Sequence, residues 1–186
     1  MDIVYGGSFN PPTIAHFKIA KEVINLQPLA DFYFLPTGNV YHKSGLVSNR
    51  HRINMLKLLC RKLGTRAKVS TAETEEQAFF GTYYTLQKFS NPVFVLGADN
   101  LIEIDSWIRY DELVAENRFI VIPREGFNFT AFFKKNPLLQ KYRNHFTVLN
   151  LGNIDISASN YRKTKDDKYL LPEVAQYIKE NNLYKE

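Results

Sequence analysis

The amino-acid sequence predicts an α/β fold: a doubly wound, mostly parallel sheet with helices on both faces and a small C-terminal helical part. Three observations carry this. Short runs rich in β-branched and aromatic residues alternate with longer amphipathic stretches, the order that lays strands parallel with crossover helices between them. Two of the runs, Val93-Phe94-Val95-Leu96 and Phe119-Ile120-Val121-Ile122, are continuously apolar, as strands covered on both faces are. The chain has 186 residues, 45% of them apolar, with 14 Phe and 11 Tyr, which suits a large core in one domain over 1–186.

The elements follow in order. Ile3-Val4-Tyr5 is a short strand that stops at Gly6-Gly7. Ile14, Phe17, Ala20, Val23 and Ile24 recur at three- and four-residue steps, so a helix starts near Thr13. Asp31 to Leu35 is a second strand, closed by Pro36. Ser48 reads as the N-cap of a helix with Ile53, Leu56, Leu59 and Leu63 on one face. Ala67 to Ser70 is a weak strand and Thr82 to Phe89 a short helix. After the strand at Val93, helix signals run from Leu101 to Val114. After the strand at Phe119, Asn128 to Tyr142 reads as one helix and Phe146 to Leu149 as a strand. Pro172 suits the first position of a last helix, in a C-terminal helical part from about 155 to 186. The polar stretch from Gly38 to Asn49 lacks periodicity and is expected to be a mobile loop.

Composition narrows the function. Lys plus Arg is 24 and Asp plus Glu 19, a net charge of +5, which suits an anionic partner without choosing between phosphorylated metabolites and nucleic acid. The basic residues are spread among acids and no recognition-helix or RNP motif appears, so no nucleic-acid partner is expected. The single cysteine, Cys60, excludes an internal disulfide and a Cys-cluster zinc site. No apolar run approaches the roughly 18 residues of a membrane span, and Met1 to Gly7 lacks the basic and apolar regions of a signal peptide. A cytoplasmic protein with no membrane partner is expected.

In open α/β sheets, ligands bind beyond the carboxyl ends of the strands. After the first strand comes Gly6-Gly7-Ser8-Phe9-Asn10-Pro11-Pro12-Thr13-Ile14-Ala15-His16. Two glycines allow a sharp turn and close approach to a ligand. The helix that follows presents free amides and the positive end of its dipole, which suits phosphate. His16 falls in its first turn, beside that anion.

Gly6-Gly7-Ser8-Phe9-Asn10-Pro11 resembles the opening motif of the nucleotidyltransferase superfamily with the H/T-x-G-H signature, whose fold is Rossmann-like. Thr13 stands where the first histidine usually is, and Ala15 where the glycine is. Threonine also occurs there in the family, and its hydroxyl can donate to a phosphate oxygen. Downstream, Pro36-Thr37-Gly38-Asn39-Val40-Tyr41-His42-Lys43 is similar to a segment of bacterial nicotinate-mononucleotide adenylyltransferases, with Tyr41 for the usual proline. The resemblance makes His42 and Lys43 candidate phosphate contacts. Ser48, Arg50, Arg52, Met55 and Leu56 echo the family's S-x-x-x-R-x-x-M-L helix. Thr82-Tyr83-Tyr84-Thr85-Leu86 resembles a segment bordering the pyridine nucleotide. Gly97-Ala98-Asp99 is similar to the family's G-A/S-D motif, which contacts adenosine, and Trp107 falls where the family stacks a tryptophan on the nicotinate ring. Arg124 matches an arginine at a strand end. Ile156-Ser157-Ala158-Ser159-Asn160-Tyr161-Arg162 resembles the second signature, I-S-S-T-x-x-R, with Ala158 replacing a serine.

The resemblance covers Gly6 to about Arg162 and implies an enzyme that transfers AMP from ATP to nicotinate mononucleotide in NAD biosynthesis. It implies catalytic roles for His16, Thr13, Lys43 and Arg162. It assigns ATP to Gly6, Gly7, Ser8, Phe9, Asn10, His16, Gly97, Asp99, Ile156, Ser157, Ser159 and Arg162. The acceptor falls to Lys43, Thr82, Tyr83, Thr85, Trp107 and Arg124. Mg²⁺ is expected to arrive with ATP, since no dense carboxylate cluster appears that would hold it. Other acceptors, nicotinamide mononucleotide or phosphopantetheine, stay open, as does a non-catalytic nucleotide-binding regulator. The oligomeric state, a homo-oligomer included, is also left open.

Overall fold

The computed structural model describes residues 1–39, 45–76, 78–152 and 158–185. They form two compact units. One comprises Met1–Gly6 and the described residues of 80–154, the other Gly7–Phe79 and those of 155–186.

The first unit holds β1 (Asp2–Gly7, all but its last residue), and a later βα series. That series runs α3 (Thr82–Leu86), β4 (Val93–Gly97), α4 (Ala98–Ile102), α5 (Tyr110–Glu116), β5 (Arg118–Ile122), α6 (Phe129–Lys135), α7 (Pro137–Lys141) and β6 (Phe146–Val148). The second unit holds α1 (Ile14–Leu26), β2 (Asp31–Pro36), α2 (Asn49–Leu63), β3 (Ala67–Val69), α8 (Ala158–Thr164) and α9 (Pro172–Glu180).

Every described strand pairing is parallel. In the first unit β1 pairs β4, β4 pairs β5 and β5 pairs β6, in registers such as Tyr5 with Val95 and Leu96 with Val121. In the second, β2 pairs β3. Consecutive residues of a strand point to opposite faces. Burial of Ile3, Val4 and Tyr5 in β1, Phe94, Val95 and Leu96 in β4, and Phe119 to Ile122 in β5 therefore means that both faces of these strands are covered. This is the α/β class that the sequence predicts. In the second unit α2 packs against α1, α9, β2 and β3.

Two predicted helices are broken in the structure. The stretch from Leu101 to Val114 divides into α4, a 3₁₀ turn at Ile104–Ser106, and α5. Trp107 is extended, and Arg109 is left-handed at φ 54, a conformation that stops an α-helix. The stretch from Asn128 to Tyr142 divides at Asn136. Pro137 lacks an N–H and its ring clashes with the preceding turn, while Asn136 Oδ1 caps α7 by accepting from the backbone N of Leu138 and Leu139. The predicted loop at 38–49 is shorter, because Asn49 already opens α2. Residues 40–44 lie outside the described residues. No helix among those described is long and apolar enough to cross a membrane.

Candidate active site

The first loop belongs, from Gly7 onward, to the second unit. Its backbone is tied to the end of β2, where Thr37 N donates to Gly7 O at 3.0 Å. Thr13 sits at the N-cap of α1 with extended backbone. Its N–H donates to His16 Nδ1 at 2.9 Å, and its hydroxyl oxygen stands 2.9 Å from the same nitrogen. A backbone N–H can only donate, so Nδ1 is a lone-pair acceptor and the proton of the neutral imidazole is on Nε2. Burial lowers the His16 pKa to about 4, so the ring is neutral at neutral pH. Phe9 packs edge-on against it, with ring centroids 5.0 Å apart.

Two side chains of the expected site face inward. The sequence reading has Thr13 donating to a phosphate oxygen, but Thr13 is wholly buried and its hydroxyl is turned to His16. Its place is behind the imidazole. Phe9 is only 2% exposed and packs on Phe34. Its side chain is core, which leaves it only backbone atoms to offer a nucleotide. Gly7 carries no side chain because a Cβ there would press on the Phe9 ring at 3.1 Å.

The second signature meets the first. Arg162 Nη1 donates to Asn10 O at 2.6 Å, and Nη2 to Ser159 Oγ at 3.1 Å. Residues at the two ends of the resemblance are thus joined by one guanidinium. Asn10 is buried, its Nδ2 donating to Gly45 O and its Oδ1 accepting from Val47 N and the Tyr184 hydroxyl. Lys43, Ile156 and Ser157 lie outside the described residues.

Arg52 organises the same region, although it is not among the residues that the resemblance assigns to the site. Wholly buried, it donates to Val47 O, Ser8 O, Thr37 O, Asn39 Oδ1 and Asn49 Oδ1. The signal was present: Arg52 shares a helical face with Leu56, Leu59 and Leu63, where a charge is rarely buried without partners.

The first unit holds the other candidates. Gly6 lies under Phe94, since a Cβ at Gly6 would meet the Phe94 ring at 2.6 Å. Phe94 meets half-buried Trp107 edge-to-face at 6.2 Å. Asp99 and Arg124 form an exposed ion pair, Oδ2 to Nη2 at 2.7 Å. Gly97, at the end of β4, has φ −76, and a Cβ there would meet nothing within 4 Å. Packing of the protein therefore does not require glycine at this position. Tyr83 is directed to α5, where its hydroxyl donates to Glu116 Oε2 and its ring takes the Arg109 guanidinium at 4.6 Å. Thr82 and Thr85 are buried, and the Thr85 hydroxyl donates to Gly81 O within its own helix.

No group of three or more His, Cys, Asp or Glu among the described residues could hold a metal ion. The second unit so described provides a neutral imidazole at the start of α1 and an arginine fork on the loop that leads into that helix. Those are the parts needed to bind phosphates and stabilise charge on them.

The cytidylyltransferase-like family matches residues 4–164. A probable nicotinate-nucleotide adenylyltransferase of Acholeplasma laidlawii is 34% identical over 194 residues, covering 100% of this chain and 98% of that protein. The Plasmodium falciparum nicotinic acid mononucleotide adenylyltransferase complexed with NaAD has the same fold, with TM-score 0.81 and 27% identity over 98% of this chain and 96% of that one. The same enzyme complexed with APC gives 0.78 and 26% over the same shares. The chain belongs to the cytidylyltransferase-like family, among the nicotinate-nucleotide adenylyltransferases.

Proposed function

We propose that this protein transfers AMP from ATP to nicotinate mononucleotide, forming nicotinate adenine dinucleotide and pyrophosphate. The observation that carries this is the Arg162 fork on Asn10 O and Ser159 Oγ. It joins both signatures of the family in one place, as a triphosphate cradle needs. The relatives' names and the NaAD of the Plasmodium complex supply the acceptor.

In this reading a phosphate oxygen of the mononucleotide attacks the α-phosphorus of ATP, and the bond from that phosphorus to the β-bridging oxygen breaks. The nucleophile is already ionised at neutral pH, so no side-chain nucleophile is required. The work is alignment of two mutually repelling anions and stabilisation of charge on the α-phosphoryl oxygens. His16, neutral with its proton on Nε2, is the donor suited to that charge. Arg162, with five N–H donors in a fixed fork, can engage phosphate oxygens while it holds Asn10 and Ser159. Ser157 and Lys43 complete the cradle for the departing pyrophosphate. Backbone at Ser8 and Gly97, with Asp99, receives the nucleotide, and Trp107 stacks on the pyridine. ATP would enter as its Mg²⁺ complex, the cation supplying neutralisation of the triphosphate charge. We assign the whole of 1–186 to this one activity, in the cytoplasm.

The test is pyrophosphate release with an acceptor panel: nicotinate mononucleotide, nicotinamide mononucleotide and phosphopantetheine, each with ATP and with CTP. Turnover highest with ATP and nicotinate mononucleotide is expected. Preference for another acceptor, or ATP binding with no turnover on any, overturns the proposal.

A further inference from the structure

We propose that Tyr184, in the stretch after α9, is a positioning residue for phosphate transfer, acting through Asn10; this rests on the adenylyltransferase reading above. Three observations converge on it. The Tyr184 hydroxyl donates to Asn10 Oδ1 at 2.8 Å. Its ring meets that of Tyr161 edge-to-face, centroids 5.9 Å apart, and Tyr161 is the buried residue of α8 next to Arg162. Its backbone is left-handed, at φ 59. A large residue holds that conformation only where its surroundings fix it.

The consequence for the site follows from the donors and acceptors of one amide. Asn10 Oδ1 accepts from Tyr184 and from Val47 N, and Nδ2 donates to Gly45 O. The Val47 N–H, which can only donate, and the Gly45 carbonyl, which can only accept, settle which way the amide faces. The same residue's backbone oxygen takes Arg162 Nη1. Tyr184 thus touches the first loop with its hydroxyl and the Arg162 helix with its ring. Burial pushes the Tyr184 hydroxyl above its ordinary pKa, so it stays a protonated donor at neutral pH. Without that hydroxyl the Asn10 amide keeps only the Val47 donor on Oδ1. The platform on which Arg162 rests then loses one of its fixed points.

A second tail tyrosine supplies the control. Tyr177 is bound by hydroxyl to His51 and Asn54 on α2, without a described contact to Asn10. Tyr184→Phe is expected to lower kcat about tenfold, the scale of one hydrogen bond. Tyr177→Phe should leave kcat within about twofold of wild type while costing similar stability in a thermal melt. In an Asn10→Ala background, Tyr184→Phe should add no further loss, because the path runs through that amide. A kcat for Tyr184→Phe within about twofold of wild type, an equal loss in Tyr177→Phe, or losses that add in the double variant each overturn the inference. ATP dissociation constants are measured for the same proteins. A wild type that binds ATP and turns over no acceptor refutes only the transferase reading. The Tyr184 inference is then decided by whether Tyr184→Phe, and not Tyr177→Phe, weakens ATP binding.

Discussion

His16 Nδ1 accepts the backbone N–H of Thr13 at 2.9 Å, which commits the imidazole to one tautomer before any ligand arrives. Because burial lowers its pKa from 6.5 to about 4, His16 does not titrate near neutrality. Activity should therefore show no ionisation of His16 between pH 6 and 8 and should fall only as the pH approaches about 4. Between about 4 and 6.5 the unfolded chain binds a proton at this histidine that the folded chain does not. Stability consequently drops as pH falls through that window. His16→Gln should flatten that part of the urea-unfolding profile. His16→Ala should lower kcat about 10²- to 10³-fold, the loss typical of one charge-stabilising donor, and near-normal turnover would refute the donor role.

Gly97→Ala separates folding from binding. The backbone there, φ −76 and ψ 157, suits alanine, and the added Cβ meets open space. Removing a glycine's freedom from the unfolded chain contributes about 0.4–1 kcal/mol, offset by the poorer N-cap that alanine makes for α4, so folding stability should change by less than about 1 kcal/mol. If a nucleotide approaches this backbone closely, the same methyl should weaken ATP binding. Calorimetry of unfolding and of ATP titration reads the two effects, and unchanged ATP affinity would remove Gly97 from the nucleotide site.

Gly6→Ala is expected to lower stability. Its Cβ would fall 2.6 Å from Phe94 Cζ, and Phe94 is only 4% exposed. The ring must shift in a packed core, at about 1–3 kcal/mol, measured as a lower urea midpoint. Phe94→Leu in the same chain should recover part of the loss.

Arg52→Lys should be among the costliest single changes. The guanidinium donates to five oxygens, and an ammonium has three donors at one point. Buried acceptors left unpaired cost about 1–3 kcal/mol each, so a large drop in melting temperature is expected. Retention of the wild-type melting temperature would show that water replaces the lost bonds.

The fold was legible because its signals are local. Strands doubly covered read as continuous apolar runs, and α1 begins at the residue that its periodicity indicates. The break at Asn136 was also written in the chain as Pro137, but the apolar spacing on either side of it reads as one helix. What patterning did not reveal depends on long-range packing. Thr13 and Phe9 match the motif letter by letter, yet Thr13 is turned inward to His16 and Phe9 into the core. Tyr184 lies far along the chain from Asn10, with nothing in its neighbours to mark it. The segments proposed to bind phosphate are marked in the sequence by their motifs, and the hydrogen bonds that brace them, made between residues far apart in the chain, are not.

Trp107 is the single tryptophan of the chain, half-buried and edge-on to Phe94. Its near-ultraviolet emission therefore originates from one place, with no second indole to blur it. A pyridine ring laid on that indole would quench the signal, whereas ATP alone would leave it nearly unaltered. If the acceptor's pyridine stacks on Trp107 as proposed, emission of the unmodified chain reads acceptor occupancy and orders the arrival of the two substrates; emission unchanged by nicotinate mononucleotide would remove Trp107 from the acceptor site.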